Sequence, residues 1–129
     1  MDYCNLTSNS VCNVTLNTLS QGGAMYLASS HNARVNYCNF TSNYASNAGG
    51  AMFWVSSNNI IMNNSYFFNC SCGITNGSKA TSPADHGGAI NFNSNKNNTV
   101  NNCTFDSCFS EKDGGAIFYA ASDSSGSVI

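Results

Sequence analysis

Charge is what this chain has least of: 8% of its residues carry it, against about 25% in an ordinary soluble domain. The four basic residues, Arg34, Lys79, Lys96 and Lys112, stand singly, and the formal net charge is -2. Counterion release needs clustered Lys and Arg, so nucleic-acid binding is excluded and an anionic membrane surface is disfavoured. Long apolar runs are missing too. None approaches the roughly 18 residues of a membrane-spanning helix, so no membrane insertion is expected. The start, Met1-Asp2-Tyr3-Cys4, has neither the basic residues nor the apolar stretch of a secretion signal, which leaves a removed signal or a piece of a longer protein. Metal-ligand spacing is also lacking. Cys70-x-Cys72 has no second pair and His31 and His86 stand apart, so neither a metal nor any other cofactor is expected.

What is present is 129 residues with 42% hydrophobic side chains, enough for a single domain over 1–129 with a real core. Abundant Asn and Ser take over the wetting of the surface. Helix is a poor reading, because no stretch keeps apolar residues at a 3.6-residue spacing for ten positions or more.

One tetrapeptide recurs four times: Gly22-Gly23-Ala24-Met25, Gly49-Gly50-Ala51-Met52, Gly87-Gly88-Ala89-Ile90 and Gly114-Gly115-Ala116-Ile117. From the first glycine to a bulky apolar residue is 18 positions each time, Gly22 to Phe40, Gly49 to Phe67 and Gly87 to Phe105. From Phe40 to Gly49 and from Phe105 to Gly114 is 9, which sets a coil of 27; Leu6 to Gly22 and Phe67 to Gly87 are longer by 7 and 11. Insertions confined to one slot leave stacked strands in register. The chain is therefore expected to fold as an all-β, right-handed parallel β-helix of about four coils, each giving a rung to two or three parallel sheets.

Alternation assigns the faces. Leu6, Phe40, Phe67 and Phe105 are expected to stack in the core, two positions from the small column Cys4, Cys38, Ser65 and Cys103. After each corner the first and third residues of Met25-Tyr26-Leu27, Met52-Phe53-Trp54, Ile90-Asn91-Phe92 and Ile117-Phe118-Tyr119 suit the interior. The middle column, Tyr26, Phe53, Asn91 and Phe118, would then form an outward stripe fit for a contact. Two alternatives stand beside that: an insertion loop such as 73–85 covers the stripe, or the facing is reversed. Gly22, Gly23, Gly49, Gly50, Gly87, Gly88, Gly114 and Gly115 mark tight corners, and a bulky residue at Gly50 or Gly115 is expected to break a coil.

Gly-Gly-Ala-Ile alternating with Phe-x-x-Asn resembles the repeat of the chlamydial polymorphic outer membrane proteins and related β-helical surface proteins of other microbes. Gly-Gly-Ala occurs four times; Phe-x-x-Asn is complete at Phe40-Thr41-Ser42-Asn43, with Leu6 replacing Phe in the first coil and Cys70 and Cys108 replacing Asn in the third and fourth. The resemblance spans nearly the whole chain. It implies a right-handed β-helix in a surface-displayed adhesin.

Counted from the glycine pairs, Ile129 falls at position 15 of its coil and Met1 at position 13 of its own. An integral number of coils with no visible cap predicts head-to-tail stacking into a homo-polymer, or a stretch of a longer solenoid. Eight Asn-x-Ser/Thr sequons point to an extracellular, secreted glycoprotein. Asn5, Asn39 and Asn102 face out by alternation, Asn13 and Asn76 lie in the insertions and Asn97 at a polar corner, so covalent N-glycans are expected at these six. Asn63 and Asn69 are left open.

Cys4 with Cys38, and Cys70 with Cys108, share columns one rung apart, within disulfide reach; Cys12 and Cys72 sit in the two insertions and could clip them together. Cys103 is left over. The equal alternative is a ladder of buried thiols acting as small apolar residues. Catalysis has one cluster to offer, Asp85-His86 with Glu111 and Asp113, and it lacks the Lys or Arg that polysaccharide cleavage would need. A flat Thr ladder for ice binding fails, because Thr7 and Thr41 are matched by Phe68 and Asp106. The expected function is a non-enzymatic structural or adhesive solenoid, stacking end to end; the alternatives are an adhesin segment binding host cells or glycans, and a polysaccharide-cleaving β-helix.

Overall fold

The computed structural model describes the backbone of residues 1–11, 20–75, 78–79 and 86–121. The first coil supplies β1 (Asn5–Thr7), β2 (Ser10–Val11), β3 (Met25–Ala28) and β4 (Arg34–Asn36). The second supplies β5 (Asn39–Thr41), β6 (Tyr44–Ala45), β7 (Met52–Val55) and β8 (Ile61–Asn63). In the third, β9 (Tyr66–Phe68) and β10 (Ser71–Cys72) precede an antiparallel hairpin of β11 (Ile74–Thr75) and β12 (Ser78–Lys79) inside the longer insertion, and β13 (Ile90–Asn95) and β14 (Thr99–Asn101) follow it. The fourth contributes β15 (Thr104–Asp106), β16 (Phe109–Ser110) and β17 (Ile117–Ala121).

Each coil lays one strand on the next, all parallel, in the orders β1-β5-β9-β15, β2-β6-β10-β16, β3-β7-β13-β17 and β4-β8-β14. There are thus four stacked sheets, where two or three were expected. The reason is a set of bends that the glycine pairs do not mark. Residues with positive φ recur in columns: Ser8, Ser42, Asn69 and Ser107; Asn32, Asn59 and Asn97; Ser29, Ser56 and Ser94; Tyr3, Tyr37, Asn64 and Asn102. Asn and Ser tolerate the left-handed region because their short polar side chains bond locally, so each column ends a strand and turns the chain.

Register follows the repeat. Leu6 lies beside Phe40, Phe40 beside Phe67 and Phe67 beside Phe105. The Phe40–Phe67 and Phe67–Phe105 ring centroids are 4.7 and 4.8 Å apart, with the planes within 3° and 10° of parallel. Met52, Trp54, Ile60, Met62, Ile90 and Phe92 complete a core closed to solvent.

Two inward columns of small residues hold the bends. Cys4 Sγ, Cys38 Sγ, Ser65 Oγ and Cys103 Sγ each donate to the carbonyl two residues back, at 3.4, 3.1, 2.9 and 3.4 Å. In the other, Asn43 Nδ2 donates to Leu6 O at 2.9 Å, Cys70 Sγ to Phe40 O at 3.4 Å and Cys108 Sγ to Phe67 O at 3.6 Å. Asn43 Oδ1 also accepts from Asn9 N and Asn9 Nδ2, both at 3.0 Å. The Asn of Phe-x-x-Asn thus ties its coil to the carbonyl of the bulky residue one coil earlier, and cysteine, a weaker donor, fills that place in later coils.

Candidate functional site

The glycine corners show how closely the coils approach. A Cβ on Gly23 would strike Gly50 O, one on Gly50 would strike Gly88 O, and one on Gly88 would strike Gly115 O. Each of these glycines also donates its N–H to the first glycine carbonyl of the following coil, Gly23 N to Gly49 O at 3.2 Å, Gly50 N to Gly87 O at 3.2 Å and Gly88 N to Gly114 O at 3.0 Å. Gly115 breaks the series. It is exposed, and a Cβ there would meet only Cys108 O at 3.7 Å, an ordinary contact. The expectation that a side chain at Gly115 breaks a coil is therefore corrected: no fifth coil lies beyond it among the described residues, so there is nothing to strike.

The same contrast runs across both ends. The inner residues Phe40, Phe67, Met52, Trp54, Ile90 and Phe92 are fully buried. Leu6, Met25 and Leu27 at one end, and Phe105, Ile117 and Tyr119 at the other, pack on that core yet remain partly open. The outer edges of β1 to β3 and of β15 to β17 carry no further strand among the described residues. Each end is an apolar cross-section rimmed by backbone groups able to extend a sheet.

The stripe Tyr26, Phe53, Asn91 and Phe118 is one column in register, and it lies outside the core cluster. As an open contact surface it needs correction. Tyr26 is 55% exposed, but Phe53 and Asn91 are only 3% and 2% exposed. The Tyr26 ring lies on Phe53 at 5.5 Å, the His86 ring on Phe118 at 4.3 Å, and Asn91 Nδ2 donates to His86 O at 3.1 Å. The column points away from the core and is nevertheless covered over its middle rungs.

Exposed aromatics gather elsewhere. Tyr3 and Tyr37 are 78% and 51% exposed and stack at 4.9 Å, 5° from parallel. Amide ladders run alongside: Asn39 Nδ2 donates to Asn5 Oδ1 at 3.0 Å, Asn63 Nδ2 to Asn36 Oδ1 at 3.0 Å, Asn97 Nδ2 to Asn59 Oδ1 at 3.4 Å and Asn102 Nδ2 to Asn64 Oδ1 at 2.6 Å. Asn5, Asn39, Asn69, Asn97 and Asn102 are exposed, Asn63 half-buried. Asn13 and Asn76 lie outside the described residues.

The cysteine columns are placed as the repeat requires, with Cys4 beside Cys38 and Cys70 beside Cys108, but the disulfides are corrected. Cys4, Cys38, Cys70, Cys103 and Cys108 are free thiols, each donating to a main-chain carbonyl as described above. Cys72 is buried with Sγ 3.4 Å from Ser110 Oγ, and Cys12 lies outside the described residues. Burial pushes the Cys38 and Cys103 thiols up. The Cys70–Cys108 hydrogen bond separates that pair, holding Cys70 protonated and lowering Cys108 to about 7. Iodoacetamide should then alkylate Cys108 with a rate midpoint near pH 7. Site-resolved mass spectrometry across pH checks this; a midpoint near 8.5, the ordinary thiol value, contradicts it.

Of the acidic cluster, His86 and Asp113 come together, with Nδ1 3.4 Å from Oδ2, while Asp85 lies outside the described residues. Among the described residues no group of three or more His, Cys, Asp or Glu is placed to hold a metal, and no helix is long and apolar enough to cross a membrane.

A family model for the right-handed β-helix region matches residues 3–129. Searches of curated proteins and of solved structures return no match. With nearly its whole length matched and its strands stacked in parallel, four-coil register, the chain belongs to the right-handed β-helix family.

Proposed function

We propose that the chain is a non-enzymatic, extracellular β-solenoid that builds a surface filament by stacking end on end and carries N-linked sugar. The observation that supports this reading is that side chains sealed in every inner rung are half-exposed on the first and last described rungs, beside sheet edges with no strand beyond them among the described residues, surfaces that a further coil would cover whether it came from a second copy or from a longer parent chain. Monomeric proteins seldom leave such surfaces bare. Electron microscopy of native material tests it. Fibrils with a repeat of four rungs along the axis are expected, spaced about 4.8 Å each; dispersed particles at high concentration would refute it.

A second reading, an adhesin segment binding glycans, is favoured by the exposed Tyr3–Tyr37 stack beside amide ladders, a surface suited to sugar rings. The resemblance to polymorphic outer membrane proteins supports the same role. Binding of glycans by a discrete, non-polymerising chain would favour it over the filament.

Sugar is expected on Asn5, Asn39, Asn97 and Asn102, whose amides stand in solvent, with Asn63 the least occupied because it is half-buried in its ladder. An N-glycan replaces one of two Nδ2 protons, so a ladder bond and a sugar are compatible. Enzymatic removal of N-linked sugar should lower the mass of native material; a mass unchanged by that treatment removes the glycoprotein from the proposal.

A further inference from the structure

We infer that the sugar on Asn39 folds back onto the exposed rings of Tyr66 and Phe68, so that the chain's own glycan covers the aromatic patch on the outer face of the sheet β1-β5-β9-β15. This rests on the glycoprotein reading above and gives one of its sugars a partner on the protein surface.

The two outward columns of this sheet are polar in three rungs of four, with Asn5, Asn39 and Thr104 in one and Thr7, Thr41 and Asp106 in the other. The third rung breaks both. It places Tyr66 and Phe68 there, 36% and 38% exposed, with ring centroids 6.1 Å apart and planes 10° from parallel. Tyr66 Oη donates to Asp106 Oδ2 at 3.1 Å, and Asp106 Oδ1 accepts from Ser107 Oγ at 2.8 Å, so the Tyr66 ring is anchored from the fourth rung.

Register identifies the occupant. A sequon lying along a strand presents its Asn and its Thr on one face, because side chains alternate. Asn39-Phe40-Thr41 does so: Phe40 is sealed in the core, and Asn39 and Thr41 lie on the outer face. On the neighbouring strand Asn39 is beside Tyr66 and Thr41 beside Phe68, so the whole sequon is flanked by the two rings. Asn39 Nδ2 donates to Asn5 Oδ1 at 3.0 Å, on the side away from Tyr66, and keeps a second proton for a glycan to replace. A sugar starting there is one strand spacing, about 4.8 Å, from the strand that carries the rings. Asn69 and Asn102, exposed sequons near the same pair, sit instead at bends with φ of 51° and 49°. Asn5 is a further rung away.

The surface suits N-acetylglucosamine. The C–H groups on one face of a pyranose carry slight positive charge and settle on the negative face of an aromatic ring. The exposed Asp106 carboxylate accepts from sugar hydroxyls at the edge of the patch. Attachment joins C1 of the sugar to Asn39 Nδ2, which loses a proton, while the lipid diphosphate of the oligosaccharide donor leaves.

The full chain from a glycosylating host, with isotope-labelled sugar trimmed to one N-acetylglucosamine per site, tests this. Peptide mapping comes first. All sequons bare overturns the glycoprotein reading and this inference together; Asn39 bare while other sites carry sugar overturns this inference alone. With Asn39 occupied, its sugar protons should show nuclear Overhauser contacts to the Tyr66 and Phe68 rings, and contacts to neither ring overturn the inference. Melting gives a second measurement. Loss of the Asn39 sugar through Thr41→Ala, corrected for the same substitution in sugar-free chain, should lower the melting temperature by about 2–4 °C in wild type and by under about 1 °C in the double variant Tyr66→Leu, Phe68→Leu. An equal loss in both backgrounds overturns it. Should the double variant fail to fold, the Overhauser contacts in wild type decide. A free neutral glycan that shifts the ring resonances of the glycosylated chain would show the patch open to an outside ligand and overturn it as well.

Discussion

Gly50→Val is expected to leave no cooperatively folded protein. A Cβ at this position falls on the Gly88 carbonyl oxygen and within 2.5 and 2.6 Å of Ser71 O and Ser71 N, all main-chain atoms of the neighbouring coil. A side chain meeting the end of a flexible neighbour can push it aside. Backbone held in a parallel ladder on both sides cannot yield without parting two coils. The cost, on the order of 5 kcal/mol, is comparable to the whole stability of a small domain. Urea titration followed by circular dichroism checks it, and a midpoint within error of wild type would contradict the stacking geometry. Gly115→Ala is the internal contrast. The isolated chain should gain about 0.4–1 kcal/mol from it, because alanine restricts the unfolded state and its Cβ makes only an ordinary contact, with Cys108 O at 3.7 Å, in the folded one.

Phe67→Ala should cost about 3–5 kcal/mol. Phe67 is fully buried, and its ring lies between Phe40 and Phe105 at 4.7 and 4.8 Å. Removing it opens a hole that the coils cannot collapse into, because their separation is set by main-chain hydrogen bonds. A reversible melt of Phe67→Ala beside Phe67→Leu separates lost volume from lost ring stacking. Loss of less than about 1 kcal/mol in the alanine variant would mean that the column is not closely packed.

The coil was legible because two signals agreed. The spacing of 18 residues from Gly-Gly-Ala to Phe, and of 9 from Phe to the next Gly-Gly in the regular coils, fixed which residues lie beside one another, and the period of two along each strand decided which face inward. Leu6, Phe40, Phe67 and Phe105, and Met52 with Trp54, fall where these signals place them. The Asn and Ser bends were harder to read. The columns led by Ser8, Ser29 and Asn32 look like polar filler until their φ values show them turning the chain. The signal that would have found them is the same repeat, applied to small polar residues instead of apolar ones.

Cysteine was ambiguous for a chemical reason. One residue type serves as half of a disulfide, as a small apolar filler or as a weak donor, and column position does not separate these. In the fold Cys70 and Cys108 take the place and partners of Asn43, and Cys4, Cys38 and Cys103 those of Ser65. This was foreshadowed by Cys standing where Phe-x-x-Asn has Asn.

By itself, then, the sequence determined the path of the chain: coil length, the slot that accepts insertions, register and inward columns, all properties of order along one strand and its repeat. Tertiary structure alone decided which outward residues are covered, as at Phe53 and Asn91, and which glycine is unconstrained, as at Gly115. Burial and close approach depend on what another coil or insertion brings to a residue, and alternation along its own strand does not carry that information.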